Sequence, residues 1–176
     1  MLLTLFFILA LVLVILAIKR SPIDIRSHWS HSFSFFQFSS QDLYNKAEDH
    51  IKKHAFPDIK ISRVTHSQGG VFSSKREYLR ISRGEYIFDI CAAPFGADFF
   101  VSWWLGESVR DILARIPILN TLLGKNSKIK TLYQLDTEAM FKSSVHQAVM
   151  EAIDEITTSK GIRALSEGER RPIDKA

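Results

Sequence analysis

Cysteine is almost missing from this chain: Cys91 is the single one in 176 residues, so no disulfide can close within it. A lone thiol fits a reducing compartment. None of the three asparagines, Asn45, Asn120 and Asn126, opens an Asn-x-Ser/Thr sequon, in keeping with a domain kept out of the secretory route. No serine stands in a G-x-S-x-G turn, no glycine-rich phosphate loop is present, and no internal repeat recurs. Motif-supported hydrolase and nucleotide chemistry, and a repeat architecture, are therefore set aside. Charge is absent from Leu2 to Ile18, where only Thr4 is polar.

What is present begins with that run. A helix over it spans about 26 Å, at the short end of what crosses a hydrocarbon core. A cleaved signal would carry basic residues before the apolar stretch and small residues at the cut. Here no Lys or Arg precedes the run, and Ile15-Leu16-Ala17 puts the bulky Ile15 where a small residue belongs. The reading is a retained transmembrane anchor over 1–20. Lys19, Arg20 and Arg26 follow it, which leaves the N-terminus outside and the remainder cytoplasmic.

Hydrophobic residues make up 46% and charged residues 24%, which excludes a disordered chain and predicts one core. Residues 21–41 read as a Ser/aromatic-rich juxtamembrane linker, or as an edge strand in which Phe33 and Phe35 alternate with serines. Residues 42–165 read as one domain, and 166–176 as a flexible polar tail. Leu43, Ala47, Ile51 and Ala55 predict a helix at 42–55, capped by Asp42 or a preceding serine and stopped by Pro57. Strands are expected around Ile59–Ile61, 71–82, 85–93 and 99–105, with a fifth at 128–135. A helix broken at Pro117 is expected over 108–123, and a last helix over 137–159, ended by Gly161. The predicted fold class is α+β: an anchor, then an antiparallel sheet of four to five strands covered on one face by helices.

A two-residue turn at Arg83-Gly84 would set Tyr78 opposite Asp89 and Arg76 opposite Cys91, with Arg80 diagonal to Asp89. One reading makes Asp89 the neutraliser of two arginines on a half-buried sheet face. The other makes Arg76, Tyr78, Arg80, Asp89 and Cys91 a binding or reactive site, with Arg76 lowering the thiol's pKa. Trp103 and Trp104 add a second binding candidate, since aromatics crowd both faces of that strand. His50 and His54 stand four apart on a helix but lack a third ligand, so they read as a polar face; no metal or cofactor is implied.

The net charge is +4, and the positive excess concentrates in 46–83, where Lys52 and Lys53 are candidate lipid-facing residues. Three functions compete. The first is a membrane-tethered module for a protein or peptide partner. The second is a peripheral domain that engages anionic lipid through 46–83, aided by the apolar residues of 108–123. The third is an enzyme using Asp89, Cys91 and the arginines. No nucleic-acid-binding motif is present, and a tether disfavours that partner.

Overall fold

The computed structural model describes residues 23–67, 74–107 and 130–175. Its elements are β1 (Asp24–Phe33), α1 (Ser40–Lys53), β2 (Lys60–Ser67), β3 (Lys75–Arg83), β4 (Tyr86–Phe95), β5 (Asp98–Glu107), α2 (Leu132–Ser159) and β6 (Ile173–Asp174). The strands form one six-stranded antiparallel sheet in the order β2-β3-β4-β5-β1-β6. Alternate residues of the inner strands, among them Leu79, Ile81, Phe88, Ile90, Trp103 and Leu105, join Leu43, Ala47 and Ile51 of α1 and Val145, Val149 and Ile153 of α2 in one core. The α+β class with helices packed against an antiparallel sheet is thus observed. Among the described residues no helix is long and apolar enough to cross a membrane. The anchor run Leu2–Ile18 and the broken helix 108–123 lie outside the described residues.

The sheet is wider than expected because both flanks of the predicted domain contribute to it. Residues 24–33, read as a linker or an edge strand, form β1, which pairs along its length with β5 and lies between β5 and β6. Ser27, Trp29 and Phe33 are buried while Ser30 and Ser32 are exposed, the period-2 signature of a strand with one covered face. The tail is ordered for a similar reason. Trp29 Nε1 donates to the Glu169 carbonyl at 2.6 Å, Arg170 makes a two-pronged bond to Asp154 at 2.9 and 2.6 Å, and Ile173–Asp174 pair with β1. These attachments are hydrogen bonds made by polar residues, which a search for apolar periodicity does not register.

Two further expectations are corrected. Of the strand expected over 128–135, the described residues 130–135 do not form one: Thr131 caps α2, its hydroxyl accepting from Gln134 N while the Gln134 side chain accepts from Thr131 N. This reciprocal cap satisfies helix-end donors, and it outweighs an alternation whose described apolar members, Tyr133 and Leu135, remain exposed. The hairpin register is also shifted by two. Arg80 lies opposite Asp89 and Ile81 opposite Phe88, because Gly84-Glu85 forms the turn. Gly84 sits at φ +57°, at the first central position where a type II′ hairpin turn needs a glycine. An even shift keeps every side chain on its expected face while changing its partner.

Candidate functional site

The face of the sheet turned away from both helices carries most of the candidate residues. On β3 these are Arg76, Tyr78 and Arg80; on β4, Asp89 and Cys91; on β5, Trp104. Strand alternation places all six on one side, since Leu79, Ile81, Phe88, Ile90, Trp103 and Leu105 occupy the positions between them. Six candidates are therefore brought to one face. Trp103 is not: it is 0% exposed in the core, with Phe88 at 4.5 Å between ring centroids. Its indole donates to His146 Nδ1 at 3.1 Å, which satisfies a polar group that burial would otherwise strand.

Asp89 is the centre of this face. Only 4% exposed, it accepts from Arg80 Nε at 2.7 Å and Nη2 at 2.6 Å, a two-pronged carboxylate–guanidinium pair. The hydrogen bond to Asp89 raises Arg80 above its ordinary range, ahead of the opposing effect of burial. His66 Nε2 lies 3.1 Å from Asp89 and 3.3 Å from Arg80 Nη2. One ring nitrogen cannot serve both: protonated it donates to Asp89, and unprotonated it accepts from Arg80. His66 sits edge-on to Tyr78, 4.9 Å between ring centroids. Sequence reasoning missed His66 because Gly69-Gly70 marks a turn between these strands without fixing the β2–β3 register that sets His66 opposite Arg76.

Cys91 is buried beside this pair, with Arg76 Nη1 4.0 Å from its sulfur. Burial raises the thiol's pKa and outweighs the lowering by the Arg76 charge and by hydrogen bonds from Arg76, Tyr78 and Ser102. The thiol is therefore protonated near neutrality and lacks the thiolate character a nucleophile needs. Tyr78 is raised as well, first by burial and then by Cys91. Trp104 is 36% exposed and stacks on His28 of β1, 4.8 Å between centroids and 10° between planes. Beside them a hollow of about 430 Å³ is bounded by Ile25, His28, Trp104, Asp174 and Lys175.

The remaining candidates lie in the helix layer. Lys52 pairs with Glu48 at 2.8 Å on α1, on the opposite side of the sheet from Arg76 and Arg80, and Lys53 ends the same helix. His50 reaches Glu151 at 3.2 Å and Glu155 at 3.1 Å, and His54 reaches Glu151 at 2.8 Å; these contacts join α1 to α2. Among the described residues no group of His, Cys, Asp and Glu is arranged to hold a metal ion. No family model matches the chain, and no curated protein or solved structure matches it.

Proposed function

We propose that this chain is a membrane-tethered interaction module. Leu2–Ile18 hold it in the bilayer, the domain lies on the cytoplasmic side, and a protein or peptide partner binds the open face of the sheet. One observation carries the reading: both helices of the described residues cover the same face, which leaves Arg76, Tyr78, Trp104 and His28 on the other. Arg, Tyr and Trp are the residue types that dominate binding energy at protein interfaces. Beneath them Asp89 and Cys91 form a buried floor, and Arg80 is already held by Asp89. Arg76 is then an exposed cation on this face, fitted to an acidic group on an extended partner segment.

The competing functions draw less from this geometry. A single basic surface would need Lys52, Lys53, Arg76 and Arg80 together, and they lie on two opposite layers with Lys52 and Arg80 in ion pairs. A reactive Cys91 would need a depressed thiol pKa, and burial pushes it the other way. Photo-crosslinking from the full chain in its membrane tests the proposal. A photoreactive residue at Tyr78 or Trp104 should give a discrete protein adduct, and one at Lys52 should not. Identical adducts from both layers, or none from either, would remove the open face as the binding surface. The tether is tested separately: deleting Leu2–Ile18 should move the chain to the soluble fraction, and a reporter fused after Ala176 should be active in the cytoplasm.

A further inference from the structure

Ile23, Glu107 and Lys130, each at the border of a described segment, lie together at one end of the sheet. Asp24, one residue after Ile23, pairs with Glu107, the last residue of β5. The described residues resume at Lys130, whose ammonium lies 2.6 Å from the Glu107 carboxylate. Arg26 reaches the same carboxylate at 2.7 Å, because a bulge between Ile25 and Ser27 takes it out of the ladder. Glu107 is 3% exposed. A carboxylate buried so far is tolerated because two cations converge on it, and it fastens the start of β1 to the approach of α2. Ile23 itself lies against the sheet here: a Cβ added to Gly106 would stand 2.0 Å from its Cγ2.

Around this end the domain leaves large apolar side chains in water. Leu132 and Tyr133, in the first turn of α2, are 80% and 78% exposed, and Leu135 follows them. Ile25 and Ile173 are exposed at the adjoining edge of the sheet, beside the half-exposed Trp104. The opposite end, with the β4–β5 turn at Phe95, stands about 30 Å away along strands of this length. An isolated exposed leucine needs no explanation, but a cluster of this kind marks a contact surface.

The short link to the anchor identifies what covers it. Between Ile18 and Ile23 lie only Lys19, Arg20, Ser21 and Pro22. Fully extended, that stretch reaches about 18 Å, so the end bearing Leu132 and Tyr133 cannot stray far from the bilayer that holds the anchor. Its chemistry matches that position: aliphatic side chains with Tyr133, bordered by Lys175 and Arg26, are the residues that settle at headgroup level. A protein partner would have to enter a gap no wider than the link is long.

We infer that Leu132, Tyr133 and Leu135, with Ile25 and Ile173, seat this end of the domain in the headgroup layer of the phospholipid bilayer. The domain then stands on the membrane with its strands upright and the Phe95 turn pointing away. This inference rests on the tether proposed above and differs from binding through the basic segment 46–83, because it uses another surface and is driven by apolar burial rather than charge.

Spin labelling of the full chain, reconstituted in phosphatidylcholine–phosphatidylglycerol liposomes, provides the test. A nitroxide is placed through Tyr133→Cys, through Leu135→Cys and, for comparison, through Phe95→Cys. All three side chains are exposed, so the substitutions spare the core, and buried Cys91 leaves the parent chain as an unlabelled control. The ratio of oxygen to nickel-chelate accessibility should be several-fold higher at 133 and 135 than at 95. Equal ratios in a chain that still floats with the liposomes overturn the docking and leave the tether standing. Labels at 133 and 135 shielded from both reagents point to a protein covering this end and overturn the bilayer as occupant. A chain that does not float overturns docking and tether together.

Discussion

On the helix-covered side, β3, β4 and β5 present Leu79, Ile81, Phe88, Ile90, Trp103 and Leu105, all fully buried. One step along the same strands, on the other side, stand Arg80, Asp89, Cys91 and Trp104. Burial alone does not separate the two faces, since Asp89 and Cys91 are also shielded from water. They differ in what compensates for it. The covered face is stabilised by removing apolar area from water, which needs no specific partner. The open face is stabilised by paired charges and hydrogen bonds, each of which fails when one member is lost. A substitution on the first face should act independently of its neighbours' chemistry, and one on the second should act through its partner.

The largest effect should come from the covered face. Phe88→Ala removes a ring packed against Trp103 and Phe141 and should cost about 3–5 kcal/mol in chemical denaturation. A cost below that of any open-face substitution would undo the comparison. Next comes Asp89→Ala, which leaves Arg80 and His66 without their carboxylate and should cost about 1–3 kcal/mol. Arg80 is partly exposed and can turn to water, which keeps this below the Phe88 value. Asp98→Ala, at an exposed site accepting from Phe35 N, should cost less than Asp89→Ala. A double-mutant cycle sharpens the point. Arg80→Ala with Asp89→Ala should be strongly non-additive, whereas Tyr78→Phe with Asp89→Ala should be nearly additive. The reverse would restore the Arg83-Gly84 register.

Gly84→Ala probes the turn that joins the two central strands. It should cost about 1–2 kcal/mol, because a Cβ disfavours the left-handed backbone found there. An unchanged melting temperature would mean that the turn does not set the register. The smallest expected effect concerns pH. The Glu155 carboxyl is held below its ordinary 4.5, first by a hydrogen bond from Lys46 and then by one from His50. A depressed folded pKa stabilises the fold above the unfolded value, so this contribution should be present above pH 4.5 and fade as pH falls below it. Because Glu155 is largely exposed, solvent keeps the effect small. Between pH 6 and 3.5 the parent chain should lose slightly more melting temperature than Glu155→Gln.

How much of this was legible in the sequence depended on range. The spacing of Leu43, Ala47 and Ile51 identified α1, and that of Phe141, Val145, Ala148 and Ile156 identified α2, because a helix writes its buried face into a few adjacent turns. The parity of β3 and β4 correctly set Arg76, Tyr78, Arg80, Asp89 and Cys91 on one face. Their pairing was not legible, because it hinged on whether Gly84 comes first or second in a two-residue turn. His66 joined the site through a β2–β3 register that no local pattern specified. Trp29 looked like a linker aromatic because its hydrogen-bond partner, the Glu169 carbonyl, is 140 positions away. Thr131–Gln134 did announce a helix start, but the alternation of Ile129, Thr131, Tyr133 and Leu135 masked it.

The place of β1 has a mechanical consequence. It is the first strand after the link to the proposed anchor, and it lies inside the sheet, bonded along its length to β5 and at its start to β6. A force entering at Ile23 and resisted at the other end of the sheet runs along β1 and loads its ladder to β5 in shear, so that many bonds share the tension at once. Were the tether fused instead to an outer hairpin, the same pull would part the ladder bond by bond. Between Lys175 N and the Arg26 carbonyl a further bond of 2.8 Å braces the strand where the force arrives. In a force-extension experiment, pulling at residue 23 against a handle at residue 95, at the opposite end of the sheet, should give one high rupture step, because the cable is spliced into the middle of the fabric rather than stitched to its hem.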